Sequence, residues 1–179
     1  MYIDDDGKAY IYFGTFGQLK GYELAPDMIS PKPDTLATVG TLRGFFEAAW
    51  FFKRNGTYYM IYAANNEGPN SPCTKNHFYA CQAWGTAPRP LGPWTYRGVL
   101  LDLVSSTTSH AGVVKFNSHW YIAYHTADAL GGGTFHRSVA IDKLDWDDTV
   151  NPPAINKVRQ TKRPGLVSPP IVAKGQPPP

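Results

Sequence analysis

The chain has 179 residues, which is enough for one domain with a hydrophobic core. Its formal net charge is only +3 at pH 7 and no stripe of Lys and Arg runs along it, which argues against nucleic-acid binding. No apolar run approaches the roughly 20 residues of a membrane-spanning helix, so the sequence predicts no membrane association. Aromatic residues make up 14% of the chain, a composition that suits a tightly packed β-protein and also the stacking of sugar rings.

Three hairpin-like segments recur along the chain at intervals of roughly 50 to 60 residues, within the range of propeller blade repeats. They are residues 2–13, 47–62 and 112–124, with turns at Asp6-Gly7, Asn55-Gly56 and Asn117-Ser118. Asn-Gly tolerates positive φ at both central turn positions and is a strong hairpin signal, whereas Asn-Ser is chemically weaker. Two further strands are predicted after each hairpin: 19–24 and 35–39, 78–83 and 94–100, 137–144 and 155–158.

Four short antiparallel strands per unit, without an amphipathic helix, are typical of a propeller blade. The sequence therefore predicts an all-β chain of about three four-stranded antiparallel blades, with their first strands near a common axis. Three blades do not close a ring, because propellers typically carry four to eight. Two blade faces would stay open, and strands such as residues 50–52 would expose a large apolar patch. We therefore expect self-association, or a need for N-terminal blades that this chain lacks.

Two features lie outside the repeats. Residues 1–165 are predicted to form the partial propeller, and residues 166–179 a proline-rich tail with no core of its own. Cys73 and Cys81 lie in a loop-like segment, where a short-loop disulfide and two free thiols are both open alternatives. A zinc site needs more ligands than His77 alone supplies.

One carboxylate, Glu47, lies in a run that is otherwise apolar and aromatic. The pattern places it at the start of the second hairpin, among residues that offer no cation and no side-chain donor. Desolvation disfavours the charged form of a carboxylate, and a carboxylic acid that keeps its proton near neutral pH is suited to general acid catalysis. The alternative is a Glu at a strand start that simply reaches solvent.

Residues 45–50 (FFEAAW) followed by 53–59 (KRNGTYY) resemble the acid-bearing segment of glycoside hydrolase family 43. This family of five-bladed propellers includes β-xylosidases, α-L-arabinofuranosidases and arabinanases. Residues 90–98 resemble the segment that closes the same blade. Residues 109–125 and 136–144 resemble the histidine segment of the last blade and the strand after it. The resemblance runs from Tyr2 to about Thr161 and implies that the chain holds about three blades of a five-bladed parent.

The resemblance implies roles for five residues. Glu47 matches the general acid, and His110 matches a histidine near the propeller axis that in many members helps hold a calcium ion or water. Arg137 lies in a segment whose arginine can line the sugar pocket, although a surface salt bridge is the alternative. Phe46 and Trp50 flank the acid, where they either contact the sugar or pack between blades. No cofactor is required, and any calcium near His110 would be held mainly by water and backbone oxygens, since calcium prefers 6–8 oxygen ligands.

The chain departs from the family in its acidic residues. Members also carry an Asp general base and a second Asp that orients the acid, and both would precede the Tyr2 strand. Asp4, Asp5 and Asp6 occupy a turn, where Asp makes local hydrogen bonds. Inversion needs two carboxyl groups roughly 6.5–9.5 Å apart, so the base is expected to be missing. The resemblance implies an inverting glycosidase on xylan or arabinoxylan oligosaccharides, and the alternative is a catalytically silent carbohydrate-binding or structural fragment.

Overall fold

The computed structural model describes residues 1–64, 72–73, 81–105 and 107–162. This part of the chain contains strands and no helix, hence no helix long and apolar enough to cross a membrane. The strands are β1 (Tyr2–Ile3), β2 (Ala9–Thr15), β3 (Gln18–Glu23), β4 (Ala37–Val39), β5 (Glu47–Arg54), β6 (Thr57–Ala63), β7 (Gln82–Ala87), β8 (Thr95–Leu101), β9 (Ala111–Phe116), β10 (His119–Thr126), β11 (Ser138–Lys143), β12 (Trp146–Asp147) and β13 (Ala154–Ile155). The prediction of an all-β chain is confirmed.

Three antiparallel sheets follow one another along the chain, as blades of a partial propeller. The first sheet is β1-β2-β3-β4 and the second sheet is β5-β6-β7-β8, both in sequence order. The third sheet has only β9, β10 and β11 among the described residues, so the predicted fourth strand at 155–158 is wrong. Ile155 pairs with Trp146 instead, and Val158 bridges to Leu101 at the edge of the second sheet. The chain leaves the third sheet after Lys143, and β12 and β13 form a separate two-stranded sheet.

The predicted hairpin turns are confirmed. Asn55 and Gly56 have φ of 48° and 76°, as a two-residue turn between twisted strands requires. Asn117 and Ser118 adopt nearly the same conformation, with φ of 46° and 66°. Ser118 is thus held in the left-handed region without a glycine's freedom, which costs roughly 1–2 kcal/mol. The pairing of β9 with β10 therefore imposes this turn conformation on residues that favour it less than Asn-Gly does.

The other predicted strands agree with the structure in part. β3, β4, β8 and β11 confirm the segments 19–24, 35–39, 94–100 and 137–144. The segment 78–83 is shifted, since β7 runs from Gln82 to Ala87 and residues 78–80 lie outside the described residues. Of the two alternatives for the cysteines, the structure has the disulfide, with the Cα atoms of Cys73 and Cys81 5.7 Å apart. The proline-rich tail also lies outside the described residues.

Aromatic side chains join the second sheet to both of its neighbours. Phe51 points towards the first sheet, where its ring centroid is 4.8 Å from that of Tyr2. Phe52 points the other way and packs between Tyr59 and Trp120, at centroid distances of 5.4 and 5.5 Å. Such aromatic pairs contribute about 0.5–1.5 kcal/mol each beyond their area burial. The second sheet is therefore the centre of the described structure, with a hydrophobic core on each face.

The apolar side chains that are exposed in the structure differ from those that the sequence predicts to be exposed. The expectation of an open face at residues 50–52 is wrong for Phe51 and Phe52, because neighbouring sheets cover both. The outer face of the third sheet is open instead, and exposes four large apolar side chains: Val114, Phe116, Val139 and Ile141. On the first sheet, Phe13 is exposed beside Tyr22.

The first two sheets are also joined by an ion pair between Lys53 and Asp4. Acid protonates the Asp4 carboxylate and breaks this pair, so the fold should be less stable at low pH. Lys53 Nζ lies 2.7 Å from Asp4 Oδ1, and Tyr58 donates a hydrogen bond to the same carboxylate. Burial alone would raise the pKa of Asp4, but the hydrogen bonds from Lys53 and Tyr58 outweigh it and hold that pKa below its ordinary value. A carboxylate with a lowered pKa stabilises the fold above its unfolded pKa of about 4 and loses that contribution as the pH falls further.

We therefore expect the melting temperature to fall steadily as the pH is lowered from 5 towards 2. Asp4→Asn should have a lower melting temperature at pH 7 and a flatter dependence on pH. Thermal unfolding across this pH range checks both results. An unchanged pH slope in Asp4→Asn would show that this pair is not a source of the acid sensitivity.

Candidate active site

Glu47 is the first residue of β5 and lies at a β-bulge. It pairs with Ala63 of β6, the next pair along the ladder is Trp50 with Ile61, and the register shifts between them. Ala48, inside the bulge, has φ of 60°, which is uncommon for a residue other than glycine. Bulges redirect side chains and are over-represented beside active sites. The bulge also breaks the simple alternation of faces, so the sequence pattern cannot place the side chains of residues 47–50.

Glu47 has a partner, which corrects the expectation of an unpaired, desolvated carboxyl group. Its Oε1 lies 3.1 Å from Nε2 of His110, a hydrogen-bond distance. The Glu47 side chain is 30% exposed and that of His110 is 53% exposed, so the pair is open to solvent and to a ligand. The two residues are 63 positions apart and meet because β5 packs against β9.

Gln82 and His125 hold the His110 segment beside β5. The buried Gln82 side chain donates through Nε2 to the carbonyl of Ser109, and the His125 N–H donates to the carbonyl of His110 at 3.3 Å. Gln82 pairs with Ala63, the residue that also pairs with Glu47, so the three lie in one row across the second sheet. Sequence reasoning missed Gln82. An amide side chain within the apolar run before Trp84 is nevertheless a signal, because a buried amide is expected to have a hydrogen-bond partner.

His125 also connects Arg137 to the site. The His125 and His110 ring centroids are 5.7 Å apart, and an Arg137 guanidinium nitrogen lies 3.5 Å from His125 Nε2. Burial lowers the pKa of His125 to about 4, the positive charges of Arg137 and His110 act in the same direction, and Glu47 opposes them. His125 is therefore neutral at pH 7. The structure thus brings Glu47, His110 and Arg137 together through a histidine that the sequence analysis did not single out.

The two flanking aromatic residues have different surroundings. Phe46 is partly buried and meets the exposed ring of Phe16 edge to face, with centroids 4.7 Å apart. Trp50 is 43% exposed and lies over Gly112 of β9, where an added Cβ would be 3.4 Å from its ring. Trp50 therefore packs between sheets, and Phe46 forms an aromatic edge with Phe16. Sequence reasoning missed Phe16, which follows β2 in a turn.

Residues 1–150 match the family model described as glycosyl hydrolases family 43. The chain belongs to glycosyl hydrolase family 43. A xylosidase/arabinosidase of Bacteroides ovatus is 31% identical over an alignment that covers 82% of this chain and 53% of that protein. A β-xylosidase of Xylanibacter ruminicola is 29% identical, with coverage of 82% and 54%. The family 43 chain thus spans about half the length of these curated relatives.

Solved structures of the family have the same fold over this length. A family 43 enzyme from Xanthomonas citri, complexed with xylotriose, superposes with a TM-score of 0.74 at 25% identity and covers 94% of this chain and 57% of that one. A β-xylosidase/α-arabinofuranosidase from a compost metagenome, also with xylotriose, has a TM-score of 0.70 at 27% identity, with coverage of 88% and 56%. The recognition of the family and the blade architecture are confirmed.

The residues around His110 do not fit a calcium ion held by side chains. No group of three His, Cys, Asp or Glu residues that could hold a metal occurs within the described ranges. Nε2 of His110 already faces Glu47, and calcium prefers 6–8 oxygen ligands.

The acidic residues of the first turn lie far from Glu47. Asp4 and Asp5 both bind Lys53, at 2.7 and 2.9 Å, and Asp6 binds Lys8. Lys53 stands near the end of β5 and Glu47 at its start, a separation of roughly 20 Å at about 3.3 Å per residue. These carboxylates are ion-paired at the opposite end of the strand from the acid.

Proposed function

We propose that this family 43 chain is the acid-bearing part of an inverting glycosidase that acts on xylosides and arabinofuranosides of plant cell-wall oligosaccharides. Glu47 is the general acid, and residues 1–165 form its partial propeller domain. The observation that carries the proposal is the solvent-accessible Glu47–His110 pair at the β5 bulge. The activities for which the relatives are named, and the xylotriose complexes of the solved structures, support the class of substrate.

In this mechanism Glu47 gives a proton to the glycosidic oxygen as the bond to the anomeric carbon breaks. Positioned proton transfer of this kind contributes about 10²–10⁴-fold to the rate. His110 fixes the orientation of the carboxyl group through Nε2, and Gln82 and His125 fix the backbone around His110. The partial exposure of Glu47 leaves room for the leaving-group oxygen to approach.

Arg137 and Phe46 are the proposed substrate contacts. Arg137 is exposed, its Nε donates to the carbonyl of Thr134 at 2.7 Å, and its remaining donors are suited to sugar hydroxyls. Phe46 with Phe16 offers an apolar edge for a pentose ring. Trp50 is the second candidate, although its packing over Gly112 favours a role between sheets.

The general base is proposed to come from outside this chain. Asp4, Asp5 and Asp6 are engaged with lysines at the far end of the first two sheets, so none is offered as the residue that activates water. A second carboxylate is needed on the opposite side of the sugar from Glu47. The chain alone is therefore expected to turn over substrate more slowly than a protein that also carries the base.

The test is release of p-nitrophenol from the aryl β-D-xyloside and the aryl α-L-arabinofuranoside, with the oligomeric state measured on the same sample. We expect release from at least one substrate, and the first-formed sugar, seen by NMR, should have the inverted anomeric configuration. A retained configuration would contradict the mechanism. Binding of xylotriose without turnover at any enzyme concentration would favour the catalytically silent carbohydrate-binding fragment.

We further propose that the chain self-associates through the open face of the third sheet. Val139 and Ile141 of β11 and the exposed Val114 of β9 project on this face, on either side of β10. Monomers rarely expose contiguous apolar patches of more than a few hundred Å².

Sedimentation velocity at micromolar concentration should show species larger than a monomer. The double variant Val139→Lys with Ile141→Lys should shift these species to monomer. Leu130→Lys, an exposed loop position, is the control. A monomeric parent chain would contradict the proposal.

A further inference from the structure

The turn that joins β2 to β3 places a phenylalanine where the backbone disfavours one. Phe16 and Gly17 alone separate the last paired residues of these strands, with φ of 49° and 79°. A two-residue turn of this kind prefers asparagine or glycine at its first position, because a bulky side chain is strained at positive φ. The corresponding turns of the second and third sheets follow this preference and begin with asparagine, at Asn55 and Asn117.

Neither packing nor hydrogen bonding accounts for the phenylalanine. Phe16 is 63% exposed, so little of its ring is buried to offset the strain. The N–H groups of Phe16 and Gly17 donate to the carbonyls of Phe46 and Phe45, each at 2.9 Å, but asparagine would make the same backbone bonds. Strained residues that persist are concentrated at catalytic and ligand-binding sites. The strain therefore indicates a function for the ring itself.

The turn holds the Phe16 ring next to the segment that leads into Glu47. Phe46, whose carbonyl accepts the hydrogen bond from the Phe16 N–H, immediately precedes Glu47. The rings of Phe16 and Phe46 meet edge to face, with centroids 4.7 Å apart and planes inclined at 88°. This contact occupies at most one face of the Phe16 ring, and the high exposure of Phe16 leaves the other face open to a ligand.

The start of β5 thus has a polar side and an aromatic side. On the side of the third sheet, His110 contacts Glu47, and Arg137 lies next to His125. On the side of the first sheet is the exposed ring of Phe16. Polar groups suit the hydroxyls of a sugar, whereas the π face of an aromatic ring suits the C–H groups on the apolar face of a sugar ring. Two neighbouring residues of one oligosaccharide can therefore use the two sides.

We propose that Phe16 binds the sugar residue on the leaving-group side of the scissile bond, and so makes the site selective for oligosaccharides over pentosides with a small leaving group. The proposal rests on the proposed role of Glu47 as general acid, since that acid protonates the oxygen that departs with the leaving group. The pentose that is cleaved off occupies the polar side, with its hydroxyls towards His110 and Arg137, and the next sugar lies against the open face of Phe16. Binding energy from a sugar that does not react is available to stabilise the transition state.

The experiment measures the affinities for xylotriose and for methyl β-D-xyloside by NMR titration, in Glu47→Gln and in Glu47→Gln combined with Phe16→Asn. Glu47→Gln keeps xylotriose intact during the titration, and methyl β-D-xyloside has no second ring to contact Phe16. We expect Phe16→Asn to weaken xylotriose binding by about three- to tenfold, the range for the loss of one aromatic contact. The affinity for methyl β-D-xyloside should stay unchanged.

Asparagine is the informative replacement because it relieves the strain while it removes the ring. The melting temperature of Phe16→Asn should therefore stay the same or rise, whereas the loss of a merely structural ring would lower it. Phe16→Tyr keeps the ring and should keep the affinity for xylotriose. Met28→Asn relieves a φ of 62° in an exposed turn beyond the other end of β3, and should change neither affinity.

Unchanged xylotriose affinity in Phe16→Asn, an equal loss for both ligands, or no binding of xylotriose to Glu47→Gln would overturn the proposal. The proposed catalytic function fails in a different way. If the chain with Glu47 releases no p-nitrophenol while Phe16→Asn still weakens xylotriose binding selectively, only the catalysis is contradicted, and Phe16 remains a sugar contact.

Discussion

Glu47→Gln should lower the rate of hydrolysis of xylobiose and other unactivated pentosides by about 10²–10⁴-fold, because the amide has no proton to give to the leaving oxygen. Aryl pentosides with a p-nitrophenolate leaving group need less protonation and should lose much less. The measurement is kcat/KM for both kinds of substrate in the parent chain and the variant. The ratio of the two losses identifies proton donation, since a merely structural defect would lower both rates equally.

Glu23→Gln is the matched control for this change. Glu23 is a carboxylate on β3 that pairs with Lys32 at 2.7 Å, in a sheet that does not carry the acid. Its side chain is only 15% exposed, but it lies in the first sheet whereas Glu47 lies in the second, so its substitution should leave the ratio of the two rates unchanged. Full activity of Glu47→Gln on xylobiose would show that another group donates the proton.

Phe52→Ala should destabilise the fold by about 3–5 kcal/mol, the range for removing a buried phenylalanine. Phe52 is 7% exposed and its ring contacts Tyr59 on the second sheet and Trp120 on the third. Removing it opens a cavity at the junction between the two sheets. The measurement is the free energy of unfolding from urea titration, read by tryptophan fluorescence.

Phe135→Ala makes the same substitution in the loop before β11, where Phe135 is 89% exposed. Its expected effect is within about 0.5 kcal/mol, as for most surface substitutions. A large loss in Phe135→Ala together with a small loss in Phe52→Ala would mean that the sheets do not pack as described.

The strands could be predicted from the sequence because local chemistry determines them. Asn55-Gly56 dictates its own turn, and the run after it is rich in the aromatic and β-branched residues that favour strands. The fourth strand of the third sheet was mispredicted because strand-like residues at 155–158 have two available partners, and only the tertiary structure decides that Val158 joins Leu101. The burial of Phe51 and Phe52 likewise depends on how the sheets pack against one another, which the alternation of residues along a strand does not predict.

The candidate site was predictable as a set of residues but not as an arrangement. Glu47, His110 and Arg137 lie in segments that resemble the family, whereas the contact between Glu47 and His110 depends on a packing of β5 against β9 that no local pattern encodes. Gln82 and His125 act through single hydrogen bonds to the backbone around His110. Hydrogen bonds between residues this distant in sequence produce no periodic pattern, so a single sequence does not predict them.

The placement of the sugar site at Glu47 is tested by an NMR titration of the histidine side chains with xylotriose. We expect the imidazole signals of His110 and His125 to shift together and saturate, because both rings border the Glu47 carboxyl group where the sugar is proposed to bind. His119, on the turn side of β10 and hydrogen-bonded to the carbonyl of Asn117, should not move. Unchanged signals of His110 and His125 while other signals saturate would contradict the placement of the sugar site at Glu47.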